Sequence, residues 1–513
     1  VSLALERSPI LDWLSEKLIR GTTTVAVFRL SAVTVAFSAF LNNTAVVGAL
    51  LGVVTKQQRV AASKLLIPLS YAAIFGGVVT LVGTSTNLVV NSFAVNAGLP
   101  AIGMFQLAWV GLPAALVGTT VLLVVSRWLP DHRGNEDEVI QPYFLEARVV
   151  SSSQLVGHSI EKNCLRNLSG LFLAEILRGE RLISPVTPEE IVEPGDILIF
   201  SGETHKVQAL GSFHGLEVFG TQTDSLLKKN LVEVVISNQS ELPSNTLREV
   251  DFRTMFDAAV VGIRRGDKRL TGQLGRITLR VGDSLILAVG ADFHLHRNIH
   301  RNFHVLDESL LPPRLNQVQN IIGITGFAAV IACSATGWFS LLNGLLALLL
   351  LLLASKALTL GELRRRFPFD LIVIIGSALT IAEVLEKSGG AALIASAVHY
   401  VFSDFGVYGA FVGVYLMTML LTELIANNAA AALAFPVAVS SAKAFGVDPL
   451  PFIMVVVYGA SAGFILPFGY QTHMMVYSPG RYRLIDFVRC GIPTSLAFGT
   501  TVLILVPVFF PFK

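Results

Sequence analysis

Charge is what this sequence has least of. Only 14% of its 513 residues are charged, against 53% apolar, and the mean hydropathy is +0.65. That excludes an ordinary soluble globule, in which about a quarter of the residues are charged. Cysteine is nearly absent as well. Cys164, Cys333 and Cys490 are odd in number and far apart, which argues against a disulfide framework and gives no zinc spacing. No basic face is present. The net charge is +2 and the Lys and Arg residues fall in short loops, so no nucleic-acid partner is expected. Nor is there a catalytic set, because the one histidine in the polar motifs described below, His473, has no adjacent nucleophile or acid; an enzyme is not expected. The run "HLHRNIHRNFH" (His294–His304) reads as a basic linker that needs no metal.

What the chain does have is long apolar segments, among them Ile321–Ser334, Leu341–Ala357 with its neighbours, and Gly491–Phe510. Such segments suit a hydrocarbon core roughly 30 Å thick. Residues 1–130 and 315–513 read as two membrane repeats, joined through linkers 131–145 and 296–314 to material of a different kind. Within 146–305 the sequence is charged and alternating. "GDILIFSG" (Gly195–Gly202) and "GDSLILAVG" (Gly282–Gly290) are each a turn followed by a strand-like run. "RGER" at Arg178 and "RGDK" at Arg265 precede them, and the offset is 87 residues both times (265 − 178 and 282 − 195). Two small α/β domains, 146–212 and 228–295, are expected.

The membrane parts repeat too. "GTSTN" (Gly83–Asn87) matches "GYQTH" (Gly469–His473), and "LNNTA" (Leu41–Ala45) matches "IANNA" (Ile425–Ala429) with Asn43 set on Asn427. Asn43 to Gly83 is 40 residues and Asn427 to Gly469 is 42. "ALERS" (Ala4–Ser8) matches "VLEKS" (Val384–Ser388), but the second copy has some 70 membrane-like residues before it, so the first is expected to be short of about two helices at its N-terminus. Positive loops mark the cytoplasmic side: Lys56, Arg59 and Lys64; Arg127 and Arg133; Arg364 to Arg366; Arg481, Arg483 and Arg489. This places 146–305 in the cytoplasm. Thr22–Val54 begins and ends on the basic side, so it is expected to be a re-entrant hairpin turning at Asn42-Asn43-Thr44. Its counterpart turns at Ala426-Asn427-Asn428 from the opposite side, the mark of an inverted-topology repeat. The expected fold is therefore an α-helical polytopic membrane protein with inverted repeats, two re-entrant hairpins and inserted cytoplasmic tandem α/β domains.

A broken helix at membrane depth leaves backbone groups unpaired at several kcal/mol each, so it must line a cavity or bind something. Freed carbonyls and Asn oxygens suit a small hard cation, and helix N-termini suit an anion. The four polar segments hold no Asp, Arg or Lys, and the nearest acid is Glu423. Neutral oxygens favour sodium over a proton relay, and donors without an Arg clamp favour a small anion such as sulfate or a dicarboxylate. Gly76, Gly77, Gly459 and Gly463 read as close-packing positions, and Glu423 as paired or turned into a polar cavity.

With these motifs the chain resembles the divalent anion:sodium symporters, whose signature is a pair of Ser-Asn-Thr hairpin tips and two unwound loops. The resemblance implies sodium sites built from Ser38, Asn42, Asn43 and Gly83 and from Thr422, Asn427 and Gly469. It implies anion contacts from Asn43, Thr44, Thr84, Asn427, Asn428 and Tyr470. The tips depart from the family pattern: Asn42 and Ala426 stand for Ser, and Asn428 for Thr. Tyr470 narrows the pocket, which favours a compact tetrahedral anion. The insert resembles, in tandem, the C-terminal ligand-binding domain of regulators of potassium conductance. Together these imply a sodium-coupled sulfate symporter in the cell membrane, homodimeric and surrounded by lipid, moving by an elevator-type motion. They also imply a small-molecule or nucleotide regulator at the cytoplasmic domains. The alternatives are a sodium-coupled dicarboxylate carrier and, from another class, a ligand-gated channel, which would want a continuous pore around a subunit axis.

Overall fold

The computed structural model describes residues 21–57, 59–132, 143–165, 171–179, 181–183, 186–202, 215–219, 231–237, 240–250, 252–270, 274–289, 293, 298–306, 316–336, 338–365, 369–390, 393–394, 396 and 406–512. Ala4–Ser8, Arg133, Arg366, His294 and His296 lie outside them. The chain divides into two compact units. The first comprises Val1–Asp131, Pro312–Val476 and Arg483–Lys513; the second comprises His132–Leu311 with Tyr477–Tyr482.

The first unit is helical. In chain order its principal helices are α1 (Thr23–Ser38), α2 (Asn43–Lys56), α3 (Ala62–Gly77), α4 (Ser85–Asn96), α5 (Ala108–Val125), α6 (Gln317–Ala335), α7 (Leu341–Ala354), α8 (Phe369–Lys387), α9 (Gly406–Leu424), α10 (Asn427–Phe445), α11 (Leu450–Ala460), α12 (Gln471–Tyr477) and α13 (Leu484–Phe509). Among the described residues five helices are long and apolar enough to cross a membrane: Ala108–Trp128, Gln317–Ser334, Gly406–Leu424, Asn427–Phe445 and Leu484–Phe509.

The helices pack in the same way twice. α1 packs on α3 and α9 on α11; α2 packs on α3 and α10 on α11; α3 packs on α5 and α11 on α13. The equivalent helices α5 and α13 pack on each other and run antiparallel. Trp109, at the start of α5, stacks on Phe509, at the end of α13, with ring centroids 5.6 Å apart. At the other end Cys490 Sγ lies 3.8 Å from the carbonyl of Val125. That end also gathers two basic loops. The Lys64 ammonium donates to the carbonyl of Arg127 at 3.1 Å and to that of Leu129, and Ser63 Oγ donates to the Pro130 carbonyl at 2.8 Å. Lys64 thus meets the exposed carbonyls that close the end of α5.

α3 and α4 are separated by the break 78–84, and α11 and α12 by the break 461–470. The polar motifs therefore do not lie wholly in unwound chain. Gly83 and Thr84 end the first break, and Ser85, Thr86 and Asn87 form the first turn of α4. The same holds for Gly469 and Tyr470 before α12. The breaks open at Val78-Val79 and Ser461-Ala462, just after the last residues of α3 and α11. At the tips, too, Asn43 and Asn427 are the first helical residues of α2 and α10, and the turns precede them.

The second unit holds two five-stranded sheets. Strands β1 (Tyr143–Val149), β2 (Leu171–Arg178), β3 (Arg181–Ile183), β4 (Ile197–Gly202) and β5 (Leu216–Phe219) lie in the order β3-β2-β4-β1-β5. Strands β6 (Leu231–Ile236), β7 (Ala258–Arg265), β8 (Lys268–Leu270), β9 (Ser284–Val289) and β10 (Phe303–Val305) lie in the equivalent order β8-β7-β9-β6-β10. All the pairings are antiparallel. Both sheets extend past the expected limits of 212 and 295, because each closes with a short edge strand, β5 or β10. Helix is scarce here among the described residues, with Phe252–Phe256 and Ile299–Asn302 the short α-helical pieces.

The 87-residue offset recurs in the bonding. Asp196 accepts from Arg178 Nε at 2.9 Å, and Asp283 accepts from Arg265 Nε at 2.8 Å. Each guanidinium also bonds a carbonyl, Ile191 or Thr278, at 2.7 and 2.8 Å. Both aspartates are almost fully buried. These hydrogen bonds hold each arginine above its ordinary pKa. Bulges interrupt β2 at Ala174 and β7 at Val261, and those two residues pack together with Ile286 and Ala288. Among the described residues no three His, Cys, Asp or Glu side chains gather as metal ligands would.

Asp283→Ala should leave Arg265 without its carboxylate at a site the protein has already desolvated. The expected loss is about 1.5–3 kcal/mol, the worth of hydrogen bonds to a charged group. Hydrogen–deuterium exchange of the intact chain should show faster exchange in Ala258–Arg265 and Ser284–Val289, and Asp196→Ala should do the same in the first sheet.

Candidate functional site

The site begins with two short turns. Ser38 ends α1, and after four residues Asn43 opens α2; Thr422 lies in the last turn of α9, and Asn427 opens α10. In each case the hydroxyl reaches forward five residues to the Asn side chain. Ser38 Oγ donates to Asn43 Oδ1 at 2.7 Å, and Thr422 Oγ1 donates to Asn427 Oδ1 at 2.9 Å. Both hydroxyl residues are fully buried.

Each tip then bonds to the other half, where its break ends and the next helix begins. Asn43 Nδ2 donates to the Tyr470 hydroxyl at 2.8 Å, and Thr44 Oγ1 donates to Gln471 Oε1 at 3.1 Å. Reciprocally, Asn428 Oδ1 accepts from Thr86 Oγ1 at 3.0 Å and Ser85 Oγ at 3.4 Å. Thr84 and Asn427 also act on the Tyr470 hydroxyl. The structure therefore brings Asn43 and Asn427 to one point from residues 384 apart in sequence (427 − 43). Around this point lie the first turns of α2, α4 and α10, with the start of the short α12. N-terminal N–H groups carry partial positive charge, so the centre is electropositive without a cationic side chain.

The breaks are fastened by matching bonds. Asn87 Nδ2 donates to the carbonyls of Gly77 and Thr80 at 2.9 and 2.8 Å. His473, its counterpart, places Nε2 2.8 Å from the Gly463 carbonyl, which can only accept, so Nε2 carries a proton. In the neutral ring Nδ1 then accepts from Ser70 Oγ, 2.7 Å away. Thr80 donates to the Ala39 carbonyl, and Thr422 also lies 2.6 Å from the Ala460 carbonyl. Glu423 has no counterpart in the first half, where Ala39 occupies its position. Its two oxygens accept from the N–H groups of Ile465 and Leu466, both at 2.8 Å.

The expected site residues are placed as follows. Ser38, Asn43, Thr44, Thr422, Asn427, Asn428 and Tyr470 form the bonded centre, and Thr84 caps α4 without using its side chain as the cap. Gly83 and Gly469 act through shape. A Cβ on Gly83 would fall 2.6 Å from the Gly77 carbonyl, and one on Gly469 3.2 Å from that of Thr422. Asn42 differs from the others: it is exposed and its amide oxygen accepts from the Thr44 N–H, so its side chain is a helix cap. Gly77 makes room for the centre itself, since a Cβ there would lie 2.6 Å from Asn43 Oδ1.

Sequence reasoning missed the supports of the two breaks. Gly111 of α5 lies against Val78, and Gly491 of α13 against Phe464 and Ile465, each too close for any side chain. A signal existed, because "GLP" (Gly111–Pro113) and "GIP" (Gly491–Pro493) are a further matched pair. Asn87 and His473 close the two matched motifs but were not among the expected site residues.

Comparison with known proteins adds the lineage. The citrate transporter family (CitMHS) matches residues 1–459. An uncharacterized transporter of Synechocystis sp. is 31% identical over 498 residues, covering 91% of this chain and 80% of that protein. One of Escherichia coli is 27% identical over 531 aligned residues, covering 96% and 86%. Sodium/sulfate cotransporter 1 of Chlamydomonas reinhardtii is 28% identical over 373 residues, covering 70% of this chain and 42% of that protein.

Gly77→Ala should lower the thermal stability of the purified protein by about 1–3 kcal/mol, as overpacking does. Asn43→Ala vacates the contested space, so in that background the same change should cost less than about 1 kcal/mol. A double-mutant cycle by thermal unfolding measures the difference.

Proposed function

The chain belongs to the citrate transporter family and is a multi-pass membrane carrier, not an enzyme; from that premise we propose that it is a sodium-coupled symporter of a small divalent anion, sulfate, working by elevator-type alternating access. The observation that carries this reading is the reciprocal bonding of each tip to the opposite break, which leaves two oxygen clusters flanking one electropositive centre. Ser38 and Asn43 belong to one cluster, and Thr422, Asn427 and the Ala460 carbonyl to the other. Each would take a sodium ion, whose ligands in proteins are neutral and anionic oxygens. The first turns of α2, α4 and α10 would hold the anion between them.

The antiparallel course of α5 and α13 supports an inverted-topology repeat, with α1–α2 and α9–α10 as the re-entrant hairpins. The shared end formed by Ser63, Lys64 and residues 127–130 supports a common cytoplasmic side for those loops. In this reading the chain works as a homodimer in lipid. Residues 146–305 are cytoplasmic, and the tandem sheets, likened to the ligand-binding domains of potassium-conductance regulators, take a small regulatory ligand.

The substrate follows from size and from the relatives. Tyr470 is a bulky residue whose hydroxyl sits among Asn43, Asn427 and Thr84, so the free space suits a compact tetrahedral anion. The Chlamydomonas relatives named as sodium/sulfate cotransporters point the same way. The family description favours a second reading, a carrier of citrate or a dicarboxylate.

Reconstituted in proteoliposomes, the protein should take up labelled sulfate when sodium is high outside. Uptake should be lost in Asn43→Ala and Asn427→Ala. Uptake driven equally without sodium defeats the coupling, and strong competition by succinate or citrate gives the carboxylate reading. Tyr470→Ala should enlarge the pocket and improve succinate competition relative to sulfate by roughly tenfold or more.

A further inference from the structure

The two half-sites match in their hydroxyl–amide pairs but not in charge. Glu423, next to Thr422, is 7% exposed, and among the described residues no Lys or Arg pairs with it. It receives two backbone N–H bonds, as befits a carboxylate. An ionised group at this depth is costly unless opposite charge is near. Capping the second break does not require charge, because a neutral amide oxygen accepts N–H bonds too, and the first break is fastened without any acid. Asn87 and Thr80 hold it, and Ala39 stands where Glu423 would be.

The surroundings name the missing charge. Around Thr422 the oxygens outnumber the protons: its single hydroxyl proton faces two acceptors, Asn427 Oδ1 at 2.9 Å and the Ala460 carbonyl at 2.6 Å. Asn427 Oδ1 faces Thr422, as Asn43 Oδ1 faces Ser38. The Thr422 and Gly469 carbonyls both come close to Gly463. Glu423 Oε2 lies 3.4 Å from where a Gly469 Cβ would sit, so the negative charge borders the same cluster. Among the described residues no such charge is bonded to Ser38 or Asn43.

We propose that Glu423 is the positioning residue that makes the two cation sites unequal, its fixed negative charge holding sodium at the Thr422–Asn427 cluster before the anion arrives. The inference rests on the sodium-coupled reading above. Its consequence is an order: the second half-site fills first and at lower sodium concentration, and its cation offsets the charge that would otherwise repel a divalent anion.

The test uses the full-length protein in detergent without sulfate. Thermal unfolding is followed as sodium replaces choline at constant ionic strength. In the wild type, sodium should raise the unfolding temperature with a defined midpoint. Glu423→Gln should raise that midpoint by at least about tenfold, the scale of a nearby charge at intermediate dielectric. Glu423→Asp keeps the charge but shortens the reach to Ile465 and Leu466, and should hold the midpoint within about threefold of wild type. Equal sodium midpoints for Glu423→Gln and wild type would overturn the inference. So would a tenfold loss in Glu423→Asp, which also decides the matter if Glu423→Gln does not fold. No sodium effect on the wild type would instead overturn the coupling on which the inference stands. In proteoliposomes, Glu423→Gln should raise the sodium concentration for half-maximal uptake while leaving the sulfate KM at saturating sodium within about twofold.

Discussion

A helix interrupted inside apolar surroundings exposes amide and carbonyl groups that water cannot reach, and everything distinctive here follows from how two such interruptions are met. Asn87 bonds the carbonyl of Gly77, at the end of α3, and His473 that of Gly463, within the second break. Thr80, Thr422 and Glu423 tie the loops to the neighbouring hairpin. Gly111 and Gly491 let the unwound backbone lie directly on a helix. With the breaks held this closely, the groups that follow them, Thr84 to Thr86 and Tyr470 to Thr472, are fixed in space and face the opposite tips. The centre is thus a by-product of closing the backbone.

The two halves do the same work with different letters. An imidazole replaces an amide at position 473, and Asn428 takes on Ser85 and Thr86 where Thr44 takes on Gln471. What is repeated is the pattern of donors and acceptors. This allows each half to drift in sequence while the centre keeps its geometry, and it is how Glu423 could be present in one half alone.

Much of this was legible in the sequence, for a physical reason. Hydroxyls and amides inside apolar runs are costly, so Asn43, Gly83, Asn427 and Gly469 stand out, and their spacing exposes the repeat. The start of each break was not legible. Val78 and Val79 look like any membrane-helix residues, although α3 ends just before them. Adjacent asparagines at a turn are indistinguishable by composition, and only the backbone decides that the Asn42 side chain caps α2 while Asn43 accepts from Ser38. In the insert, turn glycines followed by apolar runs gave away the duplication. The edge strands β5 and β10 lie beyond the expected domain limits of 212 and 295.

The packing of Ala174 on Val261 joins the two sheets through the same strand of each, at the same bulge. A surface of that kind, self-complementary about a local axis, is what two identical modules ordinarily use to pair. Here the two similar modules lie in one polypeptide, so each sheet already carries the other on this face. Among the described residues the outermost strands, β3 and β5 in one sheet and β8 and β10 in the other, each pair with a single neighbour, and an added strand would extend the ladder there.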